Sequence, residues 1–133
     1  MKFLKRIFGI CETPMPKDQQ AWSAQKGVVR INLSRMPELK PTGSGVRLEG
    51  QGLDLRLLVL HGDDGHYHAI ANRCTHMGRR IDTIAGSNTI ECCSVSKSTF
   101  TYDGQPVGGA AKKPVKTHPV AQEGETLTIR LTE

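Results

Sequence analysis

Aromatic side chains are scarce in this 133-residue chain, which holds three Phe, two Tyr and one Trp, none of them alternating with lysines. A nucleic-acid groove built from stacking rings along a basic stripe is therefore not expected. The chain also lacks any run of about eighteen apolar residues that could cross a bilayer as a helix. An excess of charge of one sign is small: the net charge is +5, and residues 1–26 carry five Lys or Arg against two acidic residues. Such a surplus favours solubility or docking on an acidic partner rather than a specific polyanion. No nucleophile paired with a base, phosphate-cradling glycine loop or dinucleotide fingerprint is visible. No useful stretch within residues 28–131 shows a helical period, and there is no internal repeat.

What is present is a succession of short strand-like segments. Val28–Leu33 alternates apolar and polar, and Val46–Leu48 is a second short candidate. Leu55–His61 and His66–Ala71 flank Asp63-Asp64-Gly65, a hairpin signal. Phe100–Tyr102, Val115–Val120 and Thr126–Leu131 follow, the last two joined by a turn at Glu123-Gly124. Many short strands with Gly and Pro turns indicate an all-β sandwich or barrel, and the length suits one domain. Residues 27–133 are read as that domain and residues 1–26 as a basic tail and linker. In the tail, Phe3, Leu4, Ile7 and Phe8 would share one side of a helix, making residues 1–11 a short segment able to dock on the domain, a partner or a membrane surface. Residues 12–26 read as an irregular linker, with Trp22 pinning the tail to the sheet.

Chemistry concentrates in residues 74–104. Cys74 and His76 are two apart, so both side chains can leave an extended loop in the same direction and reach one centre. Sixteen residues separate His76 from Cys93, and Gly86-Ser87-Asn88 within that span lets the chain return beside its start. The four cysteines, Cys11, Cys74, Cys92 and Cys93, would allow two disulfides in a secreted protein. Adjacent Cys92 and Cys93 point to opposite faces of an extended segment, however, and Cys74-Thr75-His76 has ligand spacing, so no disulfide framework is expected. His66 and His68 form a weaker metal-pair candidate, and Arg79 and Arg80 are candidates for pairing with an acidic partner or plain solvated surface.

These residues resemble a Rieske-type iron–sulfur domain, in which Cys-x-His and, after a spacer like this one, Cys-x-x-His hold a [2Fe–2S] cluster with two cysteines on one iron and two histidines on the other. The likeness runs over roughly residues 28–131, through Asn72–Gly78, Ser98, Phe100, Asp103-Gly104, Gly108–Ala111 and Val115–Val120. It implies an antiparallel β-sandwich carrying a small cluster-binding subdomain of two loops. In the register set by Ser98 and Phe100, the second cysteine is Cys93, Ser96 takes the place of the second histidine, and Lys97 stands where the family has glycine. The implied cofactor is a [2Fe–2S] cluster held by Cys74, His76 and Cys93, with Ser96, water or a partner's side chain as fourth ligand and His118 as a remote candidate. Other outcomes at these residues are a mononuclear ion such as zinc, or an empty fold used as a binding module. Ser98 falls where the family's hydroxyl donates toward a cluster sulfur. The positions of the extra disulfide pair of respiratory Rieske domains are Arg79 and Val95, so the likeness is to the ferredoxin-type branch, suited to the cytoplasm. The resemblance implies a carrier of single electrons between a reductase and an acceptor such as an oxygenase, more an electron carrier or accessory component than a catalyst. The alternative is a degenerate Rieske fold without a stable cluster, acting as an interaction or accessory module.

Overall fold

The structure, a computed structural model, describes residues 11–76, 78–94 and 97–131. The amphipathic segment expected at residues 1–11 therefore lies, except for Cys11, outside the described residues. Twelve strands form three antiparallel four-stranded sheets among the described residues. The first runs in the order β1 (Trp22–Gln25), β2 (Val28–Asn32), β12 (Thr126–Arg130), β11 (Val120–Glu123). The second runs β10 (Thr117–His118), β5 (Tyr67–Ala71), β4 (Leu57–His61), β3 (Ser44–Leu48). The third, β6 (Ile81–Ile84), β7 (Thr89–Cys92), β8 (Thr99–Thr101) and β9 (Pro106–Gly108), is the small subdomain, so the expected pair of loops stands on a sheet of its own.

Strand β4 explains how the layers are joined. Leu57 and Val59 pack with Trp22, Val29, Ile31, Leu127 and Ile129 in a core between the first two sheets. Leu58 and Leu60 point the other way, into a second core with Ile70, Ile81, Ile90 and Phe100. All four are fully buried. A strand covered on both faces needs an unbroken apolar run, and Leu57-Leu58-Val59-Leu60 is one. At about 1.5–3 kcal/mol for each buried aliphatic side chain, this strand alone is a large share of a small domain's cohesion.

The stretch read as an irregular linker contains β1, a correction with a clear local cause. Gln25 pairs with Val28 across Lys26 and Gly27, which have φ of 53° and 75°. Two successive left-handed residues make the tight hairpin turn that matches strand twist, usually signalled by Asn-Gly or Asp-Gly rather than Lys-Gly. Trp22 is buried against the sandwich, as a pin for the tail requires.

The third sheet is an excursion from the second. The chain leaves β5 at Ala71 and returns at Lys116, and the amide of Ala71 donates to the Lys116 carbonyl at 2.8 Å. A second tie crosses from sheet two to sheet three. Asp63, in the β4–β5 turn, accepts the amides of Gly86 and Asn88 in the β6–β7 turn at 3.0 and 2.9 Å and the Tyr102 hydroxyl at 3.2 Å. Those donors hold the Asp63 carboxyl below its ordinary value.

Candidate metal centre

Local hydrogen bonds explain why two distant stretches meet. Asn72 is buried at the end of β5, where its Oδ1 accepts the Ile81 amide at 2.7 Å, fixing the start of the first loop to the start of β6. Cys74 then donates its amide to the Arg79 carbonyl at 2.8 Å, and Cys93 donates its amide to the Arg80 carbonyl at 2.9 Å. The two cysteines thus hang from consecutive carbonyls of one segment. Cys74 is buried and His76 is exposed in the loop beyond it. Met77 and Ser96 lie outside the described residues.

A third segment, which the sequence reading attached to the family only by likeness, supports both loops. The Thr75 hydroxyl donates to the Lys113 carbonyl at 2.8 Å, and the Ala111 amide donates to Ser98 Oγ at 3.0 Å. Ser98 is fully buried. Gly109, with φ of 75°, packs so closely that an added Cβ would lie 2.5 Å from the Ser98 Cα. Only glycine suits both that conformation and that contact. Lys97, at the position expected to want glycine, does adopt a left-handed conformation, with φ of 52°. That conformation is one glycine adopts freely.

Cys93 is the main correction. It is bonded to Cys11 in a disulfide, with the Cα atoms 5.4 Å apart, where no disulfide was expected. The cause lies in the buried carboxylate of Asp82 on β6. It accepts the amide of Glu12 at 3.0 Å, and the amide and hydroxyl of Thr13 at 2.9 and 2.6 Å. These bonds lay the tail along the subdomain and bring Cys11 to Cys93. Nothing in the spacing of Cys11 revealed this, because a pairing across 82 positions depends on the tertiary path. Cys74 and Cys92 are not disulfide-bonded, and Cys92, the last residue of β7, packs in the second core, while Cys93, just beyond the strand, bonds to Cys11.

Other candidates separate from the centre. His68 Nε2 is 2.9 Å from Asp64 Oδ2 and its ring stacks on Tyr102, so it is anchored there rather than paired with His66. His118 is buried on β10 opposite Ala69, beside a surface cavity that Tyr67, His68 and Tyr102 also line and the three ligand candidates do not. Burial, and secondarily the charge of Lys116, push its imidazole below the ordinary value. Arg80 forms a two-pronged ion pair with Glu49, at 2.7 and 2.9 Å, rather than presenting its charge outward. That hydrogen bond is the chief cause holding the Glu49 carboxyl down and the Arg80 guanidinium up. Beneath the first loop Arg56 donates to the Gly78 carbonyl at 2.6 Å, and burial lowers its pKa, helped by the charge of Arg80.

A β-sandwich with an inserted subdomain whose two apposed loops carry Cys-x-His and a second cysteine defines a class of small iron–sulfur domain. The chain belongs to that family: the Rieske [2Fe-2S] domain matches residues 31–119. Among curated proteins no relative matches the sequence. Solved structures do. The ferredoxin of carbazole 1,9a-dioxygenase from Nocardioides aromaticivorans IC177 is 22% identical, with a TM-score of 0.62 over 77% of this chain and 98% of that one. The plasma membrane Rieske protein PetC3 from Synechocystis PCC 6803 is 20% identical, with a TM-score of 0.52 over 63% of this chain and 85% of that one. The quaternary ammonium Rieske monooxygenase CntA is 18% identical, with a TM-score of 0.57 over 73% of this chain and 30% of that one. These likenesses establish the fold, and no helix among the described residues is long and apolar enough to cross a membrane.

The donor chemistry fits the family's cluster on one condition. Once the Cys93 sulfur is released from Cys11, Cys74 and Cys93 offer two sulfurs from adjacent anchor points and His76 an exposed imidazole, three of the family's four ligands, while the second histidine position, read as Ser96, lies outside the described residues.

Proposed function

We propose that the protein is a small Rieske-type carrier that passes single electrons between a reductase and an acceptor such as an oxygenase. The observation that supports this most is the suspension of Cys74 and Cys93 from consecutive carbonyls beside His76, in a chain of this family. In this reading Cys74, His76 and Cys93 hold a [2Fe–2S] cluster and Ser96 completes the set. The cluster supplies a one-electron couple, while the chain orients the ligands and excludes water from the buried cysteine side. The likeness to a ferredoxin of an oxygenase system favours an oxygenase as acceptor. Exposed Arg73, Lys97, Lys112, Lys113 and Lys116 around the loops favour an acidic docking face on that partner. The cytoplasm is the compartment that fits, because dithiol reductants there keep Cys93 available.

The disulfide favours a second reading, an accessory module of the same fold that carries no stable cluster. Iron and sulfide assays with reduced-state electron paramagnetic resonance separate the two. Protein treated with a dithiol before anaerobic reconstitution should carry about two irons and two sulfides per chain, as one such cluster requires. An iron-free, colourless product after complete reduction establishes the accessory reading instead.

A further inference from the structure

Cys11, Asp82 and Cys93 form a second donor set that the cluster does not use. One donor atom from each lies within 4.8 Å of the others, and two of the three residues are buried. Asp82 is 4% exposed, yet no basic side chain among the described residues pairs with its carboxylate. Oδ1 takes most of its hydrogen bonds, and Oδ2 receives the Glu12 amide alone, at 3.0 Å. The Glu12 and Thr13 amides and the Thr13 hydroxyl satisfy this carboxylate in the oxidised protein, and no cationic side chain among the described residues competes with a metal ion for it. The residue also borders a cavity of about 550 Å³ whose wall includes Glu12, Glu38 and Thr13 and contains no lysine or arginine. Solvent and ions therefore have access to the Asp82 side of the donor set.

We propose that in the reduced protein Cys11, Cys93 and Asp82 bind a thiophilic divalent cation of the Zn²⁺ class. Two thiolates and one carboxylate select such an ion over Mg²⁺ or Ca²⁺, and three protein ligands leave one tetrahedral position open to water. The balance is complete with a dithiol as reductant. The dithiol gives two electrons and two protons to the Cys11–Cys93 disulfide and becomes a disulfide itself, and the two thiols then release two protons as the cation binds. Cys93 has three mutually exclusive partners: Cys11, this cation and the cluster. Cys11 belongs only to the first two, and Cys74 only to the third.

That division makes the test. Fully reduced, metal-free full-length protein is titrated with Co²⁺ and then back-titrated with Zn²⁺. Wild-type protein should show a thiolate-to-cobalt charge-transfer band and the visible d–d bands of a tetrahedral ion, displaced by Zn²⁺. Cys11→Ser should weaken cobalt binding by more than the 10–100-fold that loss of a supporting contact costs, yet keep iron–sulfur loading. Cys74→Ser should keep the cobalt spectrum and lose that loading. Asp82→Asn, which retains an acceptor for the tail amides, should shift the d–d bands while preserving charge-transfer intensity, and it decides the matter should Cys11→Ser fail to fold. Absence of cobalt binding by reduced wild type, or equal loss in Cys74→Ser and Cys11→Ser, overturns the assignment. Failure of iron–sulfur loading alone strikes the cluster reading and leaves this one intact.

Discussion

Removing the Cys11–Cys93 bond has a calculable cost. The disulfide spans 82 positions, most of the chain, so it closes a long loop in the unfolded state. The chain-entropy relation gives a stabilisation of about 4.5 kcal/mol at 25 °C for a loop of that length, and measured values commonly fall somewhat below it. Cys11→Ser should therefore lose about 2–4.5 kcal/mol relative to oxidised wild type. For a small domain with an m value of about 1–3 kcal/mol per molar urea, the midpoint should fall by about 0.7–4.5 M. Urea unfolding by Trp22 fluorescence measures this, since that side chain is buried in the sandwich core and becomes exposed on unfolding. Dithiol treatment should lower the wild-type midpoint by a similar amount and leave Cys11→Ser unchanged. Thiol titration of denatured, unreduced wild type should count two cysteines of the four. Four titrating thiols, or identical midpoints with and without reductant, would refute the reasoning.

Lys97→Gly should stabilise the fold by about 0.5–1 kcal/mol, because lysine at φ of 52° bears a left-handed conformation that glycine adopts freely, and thermal melts of the two proteins measure it. Combined with Ser96→His, it should raise iron loading and cluster lifetime, read by iron assay and visible absorbance against wild type. Glu49→Gln should cost about 0.5–1.5 kcal/mol near neutral pH, a figure already reduced for the solvent around Arg80. Since the Glu49 pKa is depressed below its ordinary 4.5, that stabilisation is complete above 4.5 and disappears as pH falls through the folded-state value, so denaturation midpoints of variant and wild type should converge in acid. His118 has its pKa lowered from 6.5, so below pH 6.5 the unfolded chain takes up a proton that the native chain resists, and stability should fall by up to about 1.4 kcal/mol per pH unit. His118→Gln should remove that slope from denaturation curves measured between pH 5 and 7, an interval of about two units below and around the ordinary imidazole value.

Much of the architecture was legible because alternation and turn chemistry agree. Val28–Asn32, Tyr67–Ala71 and Thr126–Arg130 are strands close to where the pattern put them. The misses have physical causes. β1 was hidden by a Lys-Gly turn, and β9 by its brevity and flanking glycines. The centre was legible only as a list of ligand types. Cys74 and His76 stood out by spacing and Cys93 only by the family register that Ser98 and Phe100 set, but the bond from Cys93 to Cys11 depends on Asp82 drawing in the tail, a long-range contact with no local signature.

The meeting of Ala71 and Lys116 at one hydrogen bond makes the ligand-bearing subdomain an inset with its two ends side by side. The ligand loops at the tip of an inset closed in this way can be altered while the host strands keep their register, provided Ile81, Ile90 and Phe100 still cover Leu58, Leu60 and Ile70, because the distance the ends must bridge does not depend on the loops between them. Thr117 and His118 still find Ile70 and Ala69 whatever residue occupies position 96. The first core draws none of its buried residues from the inset. Substitutions in the loops are thus partly uncoupled from the packing of the first core, so a change of loop chemistry need not begin with a change of scaffold.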